Sequence, residues 1–336
     1  MGRNKIRAFL LAIIVLGTLG FLIFIPRFST GHSGRSHQVQ VVGNQVFPMT
    51  VTDSTGRDVV IHKKPARIIS LAPGVTEILF AIGAGKQVIA DSTFCDFPEQ
   101  AKRLPKIGGY LDPNIEKITS LNSDLIIGER GNRRDILDQL SSSLGFTVLA
   151  VDPTSLRDIS QSIQLIGEVT GNSLGAQRLY DDFDRRSALV QSRLAKIPST
   201  ALPRTLFLFS LDGGIYTVGP GSHIDELIKL AGGKNIAAPT GKPWPQLSME
   251  MVAKSDPEVI LLINEHGGKS GNLTSESALR QLRTDANWRK ITAVKTGRVV
   301  VLDDDLITIP GPRLIDGLEQ MATALHPDVF PGKRHE

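Results

Sequence analysis

A single cysteine, Cys95, in 336 residues excludes an intramolecular disulfide and any metal site built on clustered thiolates. A lone cysteine of this kind is expected to pack as a small hydrophobe. The seven histidines are scattered and none falls at H-x-x-x-H spacing, so no first-row metal centre held by histidine ligands is expected. Aromatic residues make up only 5% of the chain, with three tyrosines and two tryptophans. A surplus of charge is missing too. The net +4 is more than accounted for by Arg3, Lys5, Arg7, Arg27 and Arg35, which leaves −1 for residues 36–336. A folded region without a basic stripe is not a nucleic-acid binder.

Long apolar runs are confined to one place. Residues Ala8 to Ile25 hold eighteen positions without a charge, after Arg3, Lys5 and Arg7 and before Pro26 and Arg27. A basic flank followed by an apolar stretch is an export signal or a membrane span. Spanning a hydrocarbon core takes roughly 20 residues, so the run is short for a span and long for a signal core. It has no A-x-A cleavage site and no cysteine for a lipid anchor. Residues 1–35 are therefore expected to be an uncleaved anchor or a cleaved signal, with the amino terminus inside and the rest exported. Residues 36–66 read as a polar tether followed by a hairpin, with Phe47–Thr52 and Val59–Ile61 alternating around Ser54-Thr55-Gly56.

Beyond the hairpin, short apolar runs alternate with helical stretches. Ile68–Leu71, Val88–Ala90, Leu125–Gly128 and Thr147–Val151 read as strands, with helices predicted over 76–82, 115–120 and 134–144. A βαβα order argues for a parallel sheet covered by helices. Residues 156–198 break the alternation with two helical periods parted by Thr170-Gly171-Asn172-Ser173, where Ser173 is the expected N-cap of a long helix. The alternation resumes over 199–330, with strands at Thr205–Phe209, Val259–Ile263 and Arg298–Leu302. The fold class is α/β, with a lobe over 67–155, a linker with a spine helix over 156–198 and a second lobe over 199–330. A ligand cleft is expected between the lobes, because open α/β sheets bind beyond the carboxyl ends of their strands.

Two catalytic patterns fail on context. Gly171-Asn172-Ser173-Leu174-Gly175 fits G-x-S-x-G, but a nucleophile elbow follows a strand, and the residues before Ser173 have helical spacing. Gly268-Lys269-Ser270 lacks the first glycine of a phosphate loop, since Ile263 stands there. What remains is a set of loops after the strands. Pro73 lies in the first, Phe94 in the second, Tyr110 in the third and Arg130 in the fourth, while Tyr216 and Trp244 lie in loops of the second half. Three of the five Tyr and Trp residues fall there, as a ligand platform or as packing within the loops.

The stretch from about Arg67 to Leu325 resembles the single-helix-spine solute-binding proteins of iron-siderophore, haem and cobalamin ABC importers. Ile69-Ser70-Leu71-Ala72-Pro73 with Thr76-Glu77, Asp96-Phe97-Pro98, Ser123-Asp124-Leu125-Ile126-Ile127, Pro243-Trp244-Pro245-Gln246 and Pro310-Gly311-Pro312-Arg313 carry the likeness. Within the family the chain looks most like the cobalamin binders. It departs from them near Leu306 and Ile309, where an aromatic residue and a further arginine would stand. The resemblance implies a binding module without catalysis and without a cofactor, working as a monomer outside the membrane. Its partners would be a permease, its ATPase and a small-molecule ligand. The implied ligand contacts are Pro73, Phe94, Tyr110, Arg130, Tyr216, Trp244 and Arg313. It also implies one importer-docking carboxylate per lobe, Glu116 and Glu250, which elementary electrostatics would equally favour at helix starts. The competing class is an exported hydrolase, for which Asp303-Asp304-Asp305 is the best acidic cluster, with an exposed loop as its plainer reading.

Overall fold

The computed structural model describes residues 46–129, 131–264 and 273–331. The run Ala8–Ile25 lies outside them; among the described residues no helix is long and apolar enough to cross a membrane. The chain opens with a hairpin of β1 (Met49–Thr52) and β2 (Asp58–Ile61). Asp53 closes its turn by accepting from the backbone N–H of Thr55 and Arg57, and from the Arg57 guanidinium. Val51, Val59 and Ile61 enter the main core with Ile68 and Leu125.

The first lobe holds β3 (Ile68–Ser70), α1 (Pro73–Ala81), β4 (Val88–Asp91), α2 (Glu99–Lys102), α3 (Ile115–Ser120), β5 (Leu125–Glu129), α4 (Arg134–Asp138) and β6 (Val148–Val151). Its sheet runs β4-β3-β5-β6 and every pairing is parallel. Strands buried on both faces read as unbroken apolar runs, and all five residues of β5 are buried. Past α4 the helix continues as a π turn over Gln139–Ser143.

Two linker helices follow, α5 (Leu156–Val169) and α6 (Ser173–Leu194). The expected N-cap is corrected by one residue: Asn172 occupies the cap position and Ser173 is the first helical residue. Asn172 instead donates to the Gln87 side chain and the Thr170 carbonyl, tying the bend to the first lobe. Helix α6 has 22 residues, about 33 Å. At its start Gly175 sits against the carbonyl of Ile82, where a Cβ would collide. Farther along, Arg186 pairs with Glu319 and Asp316, and Gln191 donates to the Leu230 carbonyl. One helix therefore grips both lobes.

The second lobe contains β7 (Arg204–Leu208), β8 (Ile215–Tyr216), α7 (His223–Leu230), β9 (Lys234–Asn235), β10 (Gln246–Leu247), α8 (Met249–Ser255), β11 (Val259–Asn264), α9 (Ser275–Thr284), α10 (Thr292–Thr296), β12 (Val299–Asp303), α11 (Asp304–Thr308) and α12 (Leu314–Leu325). Its sheet, β12-β11-β7-β9, is again all parallel. Strands β8 and β10 form a separate antiparallel ribbon with Tyr216 opposite Gln246. The acidic run read as a loop starts α11 instead, with Asp303 Oδ1 accepting from the Asp305 N–H at 3.1 Å.

Candidate ligand cleft

The loops at the carboxyl ends of both sheets carry the exposed aromatics. In the first lobe, the loop after β4 presents Phe94, 61% exposed, and Phe97, 44% exposed. Between them Cys95 is buried and accepts from the Thr76 hydroxyl; burial pushes its thiol up to about 12, so it packs and does not react. Lys106 staples this loop: its ammonium donates to Asp91 Oδ1 at 2.8 Å and to the carbonyls of Cys95 and Ala101. Burial raises Asp91 to about 6 against the pull of Lys106.

Tyr110 is half-buried, with its hydroxyl turned inward to donate to Glu129 Oε2 at 3.1 Å. Gly131 lies where a Cβ would strike that hydroxyl. Asn132 locks the same corner. Its Oδ1 accepts from the Glu129 N–H, and its Nδ2 donates to the carbonyls of Tyr110 and Leu71. Arg130 lies outside the described residues. Pro73 is the first residue of α1, where a missing N–H loses nothing, and is half-buried.

In the second lobe Trp244 is 56% and Tyr216 55% exposed. The β8–β10 ribbon sets Tyr216 opposite Gln246, and Trp244 leans on Phe209 with ring centroids 6.0 Å apart.

Arg313 reaches from the second lobe into the first. Its guanidinium donates to Glu77 Oε1 at 2.6 and 3.0 Å, lies 4.0 Å over the Phe97 ring and stands 3.8 Å from Asp305. Burial raises the Glu77 carboxyl although Arg313 pulls the other way. Glu77 and Glu129 are 3% and 5% exposed, and among the described residues Glu77 Oε2 and Glu129 Oε1 have no hydrogen-bond partner. The lobes touch here backbone to backbone. A Cβ on Gly74 would stand 2.7 Å from the Pro310 carbonyl oxygen and 2.9 Å from Glu129 Oε1; one on Gly311 would stand 3.2 Å from Gly74 Cα.

Glu77 and Phe97 have no role assigned from sequence beyond the motifs they stand in, and Glu129 is not singled out there at all. Their signal is a pairing with residues far along the chain, which local pattern does not carry. Glu116 and Glu250 are both exposed, each the second residue of a capped helix, with Asn114 and Ser248 as caps. Among the described residues no group of three or more His, Cys, Asp or Glu is arranged to hold a metal ion.

Comparison with known proteins fits this geometry. The periplasmic binding protein family model matches residues 68–306. The chain is 34% identical over 292 residues to the ABC transporter substrate-binding lipoprotein YvrC of Bacillus subtilis, covering 85% of this chain and 88% of that one. It is 33% identical over 261 residues to the vitamin B12-binding protein of Vibrio cholerae, covering 77% and 88%. The crystal structure of BtuF, the periplasmic vitamin B12-binding protein of Vibrio cholerae, superposes with a TM-score of 0.67 at 31% identity over 80% of this chain and 99% of that one. The periplasmic haem-binding protein RhuT of Roseiflexus superposes with a TM-score of 0.66 at 28% identity, over 78% and 98%. With 239 of its residues inside the family model and both lobes and the spine in place, the chain belongs to the periplasmic binding protein family.

Proposed function

We propose that this chain captures cobalamin or a related corrinoid outside the cytoplasmic membrane and delivers it to the permease and ATPase of an ABC importer. The observation that carries the reading is the exposed aromatic set of both lobes: Phe94 and Phe97 on the loop after β4, Tyr216 in β8 and Trp244 just before β10. Large solvent-facing rings at such positions suit a broad ligand held by apolar contact. Pro73 and Tyr110 line the floor, and Arg130 adds a further ligand contact.

The commitment of Arg313 favours a neutral, amide-rich ligand over an anionic one. Its guanidinium is already paired with Glu77, so a ligand carboxylate would have to displace a buried partner. Similarity to proteins named for vitamin B12 supports the same choice. The second reading is haem, favoured by the likeness to RhuT. Glu116 and Glu250 meet basic residues of the permease, one from each lobe, and set orientation and encounter rate. The run Ala8–Ile25 anchors the protein to the membrane; mass spectrometry of the membrane-borne protein should find residues 1–25 attached, and a species beginning near Phe28 would remove the anchor. The test of ligand class is optical. The full chain, in detergent, is incubated with cyanocobalamin or haemin and desalted. Retained corrinoid absorbance supports the first reading, a retained Soret band alone moves it to haem, and no retained colour sinks both.

A further inference from the structure

The loop that carries Phe94 and Phe97 has little apolar anchorage of its own. Thr93, Phe94, Asp96 and Phe97 are exposed, and from Ser92 to Phe97 only Ser92 and Cys95 are buried. The Lys106 ammonium supplies anchorage of another kind. Its three N–H donors meet three acceptors on three different segments. They are Asp91 Oδ1 at the end of β4 at 2.8 Å, the Cys95 carbonyl between the two rings at 2.7 Å, and the Ala101 carbonyl in α2 at 3.0 Å. The Asp91 side chain is fully buried, so this point is fixed to the core. A bond from an ammonium to a carboxylate is also stronger than one between neutral groups. The backbone around Lys106 is zipped to the same strand end. Asp91 N–H donates to the Pro105 carbonyl, Ile107 N–H to the Asp91 carbonyl and Thr93 N–H to the Gly108 carbonyl. Tyr110 follows on that segment, with its hydroxyl held by Glu129. Lys106 thus grips one ring-bearing loop with its side chain and leads into the other with its backbone.

We propose that Lys106 is a positioning residue for ligand capture: bonded to Asp91, Cys95 and Ala101, it holds Phe94 and Phe97 at a fixed spacing from Tyr110 before the ligand arrives, so that the rings act as a preformed platform. The inference rests on the reading of these rings as ligand contacts. A ligand that met an unheld loop would have to order it, and ordering costs affinity. Removing the ammonium while keeping the stem should weaken binding by on the order of 10-fold, the cost of immobilising two ring-bearing side chains.

The experiment titrates the full chain, in detergent, with cyanocobalamin. Lys106→Met should bind on the order of 10-fold more weakly than wild type. A double-mutant cycle separates positioning from general damage. In a Phe94→Ala, Phe97→Ala background the rings to be positioned are gone, and adding Lys106→Met should cost no more than about twofold. In a Trp244→Ala background, where the missing ring belongs to the other lobe, it should cost the full amount. Hydrogen exchange reads the loop without ligand: in Lys106→Met the amides of residues 92–98 should exchange faster while those of β5 keep their wild-type rates. Equal affinity of Lys106→Met and wild type, an equal cost with and without the two rings, or unchanged exchange over 92–98 each overturns the inference and leaves the functional reading intact. Failure of wild type to bind cyanocobalamin overturns the functional reading and this inference with it. Should Lys106→Met not fold, Lys106→Met with Asp91→Asn decides in its place. Burial already raises Asp91 to about 6, and the amide removes the carboxyl that would otherwise be stranded in the core.

Discussion

Replacing Arg313 by alanine tests whether the strap between the lobes is electrostatic. The pair is deeply placed: the Glu77 side chain is 2% exposed and that of Arg313 18%. Removing one partner of a buried pair costs about 3–5 kcal/mol when the other must stay charged. The Phe97 contact at 4.0 Å adds about 0.5–2 kcal/mol. Glu77 has an escape, because it can take up a proton. Its carboxyl is already raised by burial, and among the described residues Arg313 supplies the pull that opposes that rise. A folded-state value above the unfolded one means the loss grows as pH climbs from the unfolded value through the folded one. At pH 8 the variant should lose the full amount. As pH falls the raised carboxyl takes up its proton, and what remains lost is packing and hydrogen bonding, about 1–2 kcal/mol. At roughly 2–4 °C per kcal/mol, a loss of about 3.5–7 kcal/mol should lower thermal unfolding by about 7–28 °C at pH 8 and clearly less at pH 5.5. The double variant Glu77→Gln with Arg313→Ala removes the stranded charge and should melt above Arg313→Ala at pH 8. An equal loss at both pH values, or a double variant less stable than the single one, would refute the reasoning.

Three further outcomes are expected. Trp244→Ala should weaken ligand binding by on the order of 30-fold or more with the fold retained, since truncating an aromatic anchor typically costs about 2–4 kcal/mol; unchanged titration by a folded mutant would remove Trp244 from the site. Glu116→Arg with Glu250→Arg should leave ligand affinity intact and nearly stop uptake, because a steering contact becomes repulsion; normal uptake would place docking elsewhere. Gly175→Ala should lower stability by about 1–3 kcal/mol, because its Cβ meets the Ile82 backbone and cannot be relieved by a side-chain rotation; a melting temperature equal to wild type would show that α6 can shift away from α1.

The fold was legible where burial writes itself into composition. Strands covered on both faces must be apolar throughout, and Leu125-Ile126-Ile127 and Val259–Ile263 announce themselves for that reason. The spine was legible because a Gly-Asn-Ser break separates two helical periods, although the cap fell one residue early. Strand β9 was not, since Lys234–Asn235 is two polar residues; Asn235 is buried because its amide donates to Asp225 and to the Val218 carbonyl. Helix α11 was hidden because three acids in a row read as solvent-facing loop, whereas Asp303 caps the helix that the other two begin, accepting from the Asp305 N–H. At the cleft, rings in loops stood out against a chain poor in aromatics. The carboxyl pair did not: Glu77 meets its arginine 236 positions later, and only the folded chain brings Glu129 under Tyr110.

The glycine-to-glycine contact at the seam has a mechanical consequence. Gly74 and Gly311 meet with no side chain of their own between them, so turning one lobe on the other compresses no rotamer between these two backbones. The contact is a bearing. Resistance to rotation must then come from elsewhere: from α6, a shaft clamped at both ends, and from the Arg313–Glu77 tie. Stiffness and pivot occupy different residues, and each can be altered by substitution without rebuilding the other.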